Sequence, residues 1–253
     1  MICDPMDPTY PKTDELLTAI AAWTRPLVEH PAFRQLARAK IGSAFDWEDD
    51  WPTKGDRVHE VILPEPLAAQ HDVVMQFYHL WQAAERLKQT EFYFRRYPFR
   101  SGQVSRHEHL ENICTMFFSS FYVFEERLRL YLNALNKASS PESIDVGRTL
   151  KSYRKRFKAE LRQRHDGTHV APFDDATIQA VMLRSMRDHG DPAGDRAGAT
   201  YASRKASREW AGHARSGGER IAAFLEAVAG ASLTCATFLQ VPPCPGEDDL
   251  KVR

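Results

Sequence analysis

Apolar residues recur at alternating spacings of four and three along the stretch between residues 108 and 137. The seam consists of Leu110, Cys114, Phe117, Phe121, Phe124, Leu128, Tyr131 and Leu135. A mean period of about 3.5 is typical of a helix that buries one side against other helices. The pattern therefore predicts one long helix over 108–137, and the sequence Ser139-Ser140-Pro141 is expected to end it.

Similar periodicity predicts further long helices at 67–97, 145–166 and 203–239. In the last of these, the predicted seam alternates in the same way and includes Ala231, although Gly217-Gly218 is expected to weaken the helix and kink it. Shorter helices are predicted in three places, at 13–25, 30–41 and 174–189. Residues 43–66 are acidic, aromatic and flanked by proline, which predicts a long loop with a short strand at Val58–Leu63.

Capping residues, glycine and proline set the expected helix ends. Thr13 or Asp14 is expected to cap the first helix and Pro26 to end it, because proline removes a backbone donor. Asp174 or Asp175 is expected to cap the helix that reaches His189. Gly167 is expected to end the helix that begins at 145.

Together these elements predict an all-α fold, a helical bundle in which the long helices bury their seams on one another. We expect residues 67–241 to form this bundle. Residues 1–66 are expected to add short N-terminal helices and the acidic loop, packed on the core. The tail at 242–253 is predicted to be disordered.

Composition narrows the classes of function. The formal net charge is zero, so a preference for nucleic acid has to come from local patches. The four cysteines form no CxxC pair, which indicates a reducing compartment without a disulfide framework. The first residues lack a basic start and an apolar run, and no stretch is apolar for the roughly 20 residues of a membrane span. We therefore expect a cytoplasmic protein with no membrane association, no metal and no cofactor.

One predicted helix carries most of its charge as lysine and arginine. Its basic residues include Lys151, Arg154, Lys155, Lys158 and Arg162, with Glu160 as the single acid among them. Because Arg154, Lys158 and Arg162 recur every four residues, they share one helix face, and such a stripe suits an RNA phosphate backbone. The alternative is a solvated face opposite the core.

The end of this basic helix reads Arg164-His165-Asp166-Gly167-Thr168-His169. Arg164 lies three residues after Leu161 and seven after Phe157, so it continues the predicted buried stripe. The segment resembles the motif of the HEPN family, in which an Arg, usually followed by Asn, Asp or His, is separated from a later His by about four to six intervening residues. That family has a helical bundle of four or five helices, with the motif near the end of a long helix. The alternative is a structural Arg beside a surface His.

The resemblance implies a metal-independent endoribonuclease, such as a toxin or an anti-phage defence effector, with RNA as substrate. It implies that His169 transfers a proton at the ribose 2′-OH or the leaving oxygen and that Arg164 stabilises phosphate charge, with His165 and Asp166 between them. It also implies a homodimer that shares its site, and an antitoxin or operon partner. The family also includes members that only bind nucleotides or act as scaffolds, so a non-catalytic bundle that binds RNA, a nucleotide or a partner protein stays open.

Two other segments carry candidate chemistry. Glu125 flanks the seam of the 108–137 helix, where it is expected to pair either with Arg164 or, within its own helix, with Arg129. The connection before that helix is rich in Arg, Tyr and His. Within it, Ser105 and Glu108 have the spacing of a capping box, whereas His107 and His109 diverge on a helix and make a poor metal pair.

Overall fold

The structure is a computed structural model that describes residues 9–37, 61–98, 104–138, 143–169, 175–190, 196–244, 246 and 250–252. For residues 164–169, 187–190, 196 and 251–252, only the course of the backbone is described. The predicted acidic loop lies almost entirely outside these residues.

The fold is all-α, as the periodicity predicts. The helices are α1 Pro11–Glu29, α2 Leu67–Arg95, α3 Arg106–Ala138, α4 Val146–Arg156, α5 Lys158–His169, α6 Ala176–Gly190 and α7 Arg196–Cys235. A 3₁₀ helix follows at Thr237–Gln240, and residues 31–37 are also helical. The predicted helices at 67–97 and 108–137 correspond closely to α2 and α3, whereas the one predicted at 145–166 is divided in two.

The chain forms two compact units that are discontinuous in sequence. The first contains residues 1–76, 131–144 and 226–253, and the second contains residues 77–130 and 145–225. The helices α2, α3 and α7 therefore each contribute residues to both units.

In the first unit, a residue distant in sequence caps the N-terminus of α1. The Glu226 carboxylate accepts hydrogen bonds from the backbone N–H of Lys12 at 2.7 Å and from that of Thr13 at 2.8 Å. It also accepts one from the Thr13 hydroxyl at 2.8 Å. The prediction that Thr13 or Asp14 caps α1 is wrong, because the helix already begins at Pro11 and Tyr10 supplies no side-chain cap.

The prediction that Pro26 ends the first helix is also wrong, because α1 continues to Glu29. A proline removes one hydrogen bond from a helix interior, yet buried side chains flank it here. Leu27 is buried, and Trp23 packs edge-on against Phe238 with ring centroids 5.7 Å apart. Burial on both sides of Pro26 keeps the helix intact.

Two short strands pair in the same unit. The strand β1, Val61–Ile62, lies within the predicted strand at Val58–Leu63 and is antiparallel to β2, Lys251–Val252. Leu250, directly before β2, is buried. The prediction of a disordered tail over 242–253 is therefore wrong for residues 250–252, since backbone pairing and one apolar side chain hold them in place.

In the second unit, the predicted seam of α3 is the centre of the core. The side chains of Leu110, Cys114, Phe117, Phe121, Phe124 and Leu128 are all at most 3% exposed. The rings of Phe121, Phe124, Tyr153, Phe157 and Phe224 form one aromatic cluster. This cluster joins α3 to α4, to the residue between α4 and α5, and to α7.

The glycine pair of α7 marks a close approach of helices, and no break interrupts the helix there. A Cβ at Gly217 would lie 2.9 Å from Cζ of Phe117 on α3, and one at Gly218 would lie 3.2 Å from Cα of Lys88 on α2. The two glycines therefore let three helices of this unit pack more closely than larger residues would allow. The helix is unbroken at this pair, and the kink expected there stays a prediction.

Candidate functional site

The basic helix predicted at 145–166 consists of two helices that meet at Phe157. Asp145 caps α4 by accepting a hydrogen bond from the Arg148 N–H at 2.8 Å. Phe157 leaves the helical region, with φ −112° and ψ 27°, although its N–H still donates to the Tyr153 carbonyl. Because α5 starts anew after this residue, the buried stripe of α4 cannot be extrapolated to Arg164.

Aromatic packing fixes the position of α4. The Tyr153 hydroxyl donates to the Phe121 carbonyl at 2.7 Å, and its ring stacks on Phe124 with centroids 5.5 Å apart. Burial raises the pKa of Tyr153 far above its ordinary value, so this hydroxyl stays a donor. Leu150 and Phe157 are also buried on this side, which leaves the opposite side of α4 facing solvent.

The five predicted RNA-binding residues are exposed. They are Lys151, Arg154, Lys155, Lys158 and Arg162, and we call them the basic face. Two of the nearby acids are engaged by arginine. Glu160 accepts from Arg220 at 2.7 Å, and Glu125 accepts from Arg154 Nε at 2.6 Å. The Glu160 charge is therefore offset by Arg220, whereas Arg154 is itself offset by Glu125.

The partner of Glu125 differs from the pairings considered from the sequence. Its side chain is buried and pairs with Arg154 on α4, across two helices of the same unit. Arg129, the predicted intrahelical partner, pairs instead with Glu126 at 2.8 Å. The other candidate partner, the Arg164 side chain, lies outside the described residues.

The HEPN-like motif lies at the end of α5, but only its backbone is described. The predicted stop at Gly167 is wrong, because α5 continues to His169. Glycine lowers helix stability without forbidding a helix, and Pro172, three residues beyond the observed end, limits continuation. The side chains of Arg164, His165, Asp166 and His169 lie outside the described residues.

The backbone of α5 nevertheless shows where the two ends of the motif lie around the helix axis. At 3.6 residues per turn, five steps from Arg164 to His169 correspond to a rotation of about 140° around the axis. Their Cα positions therefore lie on different sides of α5. His165 and His169 are four apart and share a side.

One cluster of candidate functional residues was only partly indicated by the sequence, which drew attention to the Arg-, Tyr- and His-rich connection before α3 but not to its partners on α7. A cavity of about 310 Å³ in the second unit is lined by Arg95, Arg96, Arg106, Arg204 and Arg208, and we call it the arginine pocket. The available signal was a repeated Ser-Arg pair, Ser203-Arg204 and Ser207-Arg208, whose spacing of four places both arginines on one face of α7.

The connection from α2 to α3 forms one wall of the arginine pocket. The predicted capping box is confirmed: the Glu108 N–H donates to Ser105 Oγ at 3.1 Å, and the Ser105 N–H donates to the Glu108 carboxylate at 2.7 Å. His109 Nε2 donates to the Arg96 carbonyl at 2.8 Å, since a carbonyl only accepts. Among the described residues, no group of three or more His, Cys, Asp or Glu side chains is placed to hold a metal ion.

Comparison with protein-family models, with curated proteins and with solved structures finds no match to this chain. None of the helices within the described ranges has the length and apolar character needed to cross a membrane.

Proposed function

We propose that this protein binds RNA through the basic face of α4 and α5. The observation that carries the proposal is the exposure of all five of its cations beside an acid, Glu160, that is already paired with Arg220. Solvent-exposed lysine and arginine release counterions when they meet phosphates, which is the main source of affinity for a nucleic-acid backbone. The buried aromatic side of α4 holds this face in position.

The chemistry proposed for the site is cleavage of RNA without metal, in the manner of the HEPN family that residues 164–169 resemble. His169 would accept the proton of the ribose 2′-OH as that oxygen attacks the adjacent phosphorus. The bond from phosphorus to the 5′-oxygen then breaks. Arg164 would stabilise the charge on the phosphate oxygens. The leaving 5′-oxygen takes up a proton from water, and a 2′,3′-cyclic phosphate remains. Such an enzyme suits a toxin or a defence effector held in check by an antitoxin.

A homodimer is part of this proposal. Residues 164 and 169 of one chain lie on different sides of α5. One phosphate is therefore contacted more easily by the Arg of one copy and the His of another than by both residues of the same chain. The exposed apolar residues Tyr93, Met116 and Val123 of the second unit line a cavity of about 480 Å³ between α2 and α3. We assign this surface to the second copy.

The second candidate function is a non-catalytic bundle that binds RNA. It is favoured by the exposed cations of the basic face, which can contact phosphates without any catalytic group. If wild-type protein binds RNA but cleaves it in none of the buffers tested, the non-catalytic function is the correct one.

Binding is tested by the salt dependence of fluorescence anisotropy with a single-stranded RNA. Lys158→Gln and Arg162→Gln should each weaken binding and flatten the slope of log K against log salt by about 0.7, because each removes one phosphate contact. The matched control is Lys205→Gln, an exposed lysine on α7 that pairs with Glu209. Equal effects of all three substitutions would show that net charge matters and that the basic face does not.

A further inference from the structure

The arginine pocket concentrates positive charge that nearby carboxylates do not balance. Glu91 pairs with Arg95 at 2.8 Å and also with Arg215. For the other four arginines of the pocket, no ion pair with a carboxylate is found among the residues that the structure describes. Like charges gathered in one cavity repel one another, and an anion bound there removes that repulsion.

Neighbouring groups hold part of this lining in place. The Arg106 guanidinium lies 4.9 Å from the centre of the Tyr97 ring and donates a long hydrogen bond, at 3.4 Å, to the hydroxyl of the buried Ser203. The Tyr97 hydroxyl in turn donates to the Val104 carbonyl. These contacts tie the end of α2, the start of α3 and the face of α7 to one another within the second unit.

Part of the pocket lining is apolar. Phe94 and Leu110 are buried, and the Phe94 ring stacks on Trp210 with centroids 5.8 Å apart. The described residues of the lining carry no carboxylate, and their polar side chains beside the arginines are Tyr97, His109, Ser203 and Ser207. The charged end of a ligand therefore meets no acidic side chain in the described lining.

We infer that the arginine pocket binds a di- or triphosphate group. Guanidinium groups donate paired hydrogen bonds in a geometry that matches phosphate oxygens. A volume of about 310 Å³ equals that of about ten water molecules, at roughly 30 Å³ each, which exceeds the need of a single phosphate. The shared chemistry is a pyrophosphate linkage, which both a free nucleotide and the 5′ end of an RNA carry.

The test is isothermal titration of the full chain with inorganic pyrophosphate, in a buffer of physiological chloride concentration and without divalent metal. The wild type should show saturable binding, and the double substitution Arg204→Gln with Arg208→Gln should weaken it about 10- to 100-fold, since each arginine provides a charge-assisted hydrogen bond. Lys205→Gln, between them on the same helix, should leave affinity within about twofold. Arg106→Gln, on α3, should lower pyrophosphate affinity independently of the two arginines on α7.

Absence of saturable binding by wild type, or unchanged affinity in the double variant, would overturn the inference. Because Arg204 and Arg208 are exposed, their substitution should preserve the fold, and a circular dichroism melt verifies this. Lys158→Gln, on the basic face, should leave pyrophosphate affinity unchanged, which separates this site from the proposed RNA-binding function.

Two further titrations distinguish the sources of the ligand. If ATP binds as pyrophosphate does and a 5′-triphosphate gives an RNA no advantage over a 5′-hydroxyl, the pocket takes a free nucleotide. If the 5′-triphosphate RNA binds more tightly and the double variant removes that advantage, the pocket takes an RNA end. If ATP, pyrophosphate and the 5′-triphosphate RNA all fail to bind, neither the free nucleotide nor the RNA end is the ligand, and the inference is wrong.

Discussion

Arg154 Nε donates to the buried Glu125 carboxylate at 2.6 Å, and this bond connects the basic face to α3. The two ends of the pair differ in environment, since the Arg154 side chain is 63% exposed and that of Glu125 is 7% exposed. Arg154 therefore serves two purposes: it satisfies a buried acid and it contributes to the exposed basic face.

This asymmetry predicts unequal effects of two substitutions on stability. Arg154→Ala leaves a buried carboxylate without this donor and should lower the free energy of unfolding by about 1–3 kcal/mol. Glu125→Gln keeps an acceptor for Arg154 and should lower it by less. Urea unfolding followed by circular dichroism measures both, and a larger loss for Glu125→Gln would contradict this description of the pair.

The close approach at Gly217 predicts opposite effects of the same substitution at two glycines of α7. Gly217→Ala should destabilise by about 1–3 kcal/mol, because its Cβ would lie 2.9 Å from the buried Phe117 ring. Gly212→Ala should stabilise by about 0.5–1 kcal/mol, because no atom lies within 4 Å of a Cβ there and alanine favours a helix. Thermal unfolding of the two variants provides the comparison, and similar shifts in both would exclude the packing argument.

The cap on α1 predicts a stability difference that depends on pH. Burial alone would raise the pKa of Glu226, but hydrogen bonds from Lys12 and Thr13 lower it below its ordinary value. A carboxyl group whose pKa is lowered on folding stabilises the fold above its unfolded pKa of about 4.3 and loses that effect as pH falls through its folded pKa. Glu226→Gln should therefore be less stable than wild type by about 0.5–2 kcal/mol at neutral pH.

Below about pH 4 that difference should shrink, because the wild-type carboxyl group is then being protonated as well. The free energy of unfolding of wild type and of Glu226→Gln, measured at a series of pH values, shows whether the two values converge at low pH. A constant difference across the series would show that Glu226 acts through shape alone.

The homodimer proposal predicts that one apolar surface is covered in solution. Val123→Glu, on the α2–α3 surface, should shift the protein from dimer to monomer in light scattering at micromolar concentration. Leu183→Glu is the matched control, because Leu183 is another exposed apolar residue, on α6. A wild type that is only monomeric would contradict a shared site.

The sequence predicted the features that depend on helical periodicity. The α3 seam is buried as its spacing indicates, and Asp175 caps α6 by accepting from the Thr177 and Ile178 N–H groups, as predicted. The seam predicted for α7 fails at Ala231, which is exposed, while Ser232 is buried. A straight helix drifts by about 20° per heptad from a strict 3.5 repeat, which accounts for a shift of this kind.

Features that depend on tertiary contacts were not predictable. Glu226 caps a helix more than two hundred positions away, and the arginine pocket joins Arg96 to Arg208 across three helices. Pro26 and Gly167 were predicted to end their helices because of their low helix propensity. Propensity is a weak guide that tertiary context often overrides, and both helices continue past these residues. Nothing in the spacing of residues along one helix encodes such partners.

We propose that His169 and Arg164 cleave RNA without metal, and cleavage by the full chain in EDTA tests this proposal most directly. We predict 2′,3′-cyclic phosphate or 3′-phosphate ends from RNA and no cleavage of DNA, which lacks the 2′-OH. His169→Ala should abolish cleavage with RNA binding nearly unchanged, and Arg164→Ala should impair both. His213→Ala is the control, since His213 follows Arg208 at the same spacing in α7. Cleavage that persists in His169→Ala, or RNA that stays intact with wild-type protein, would contradict the proposed chemistry.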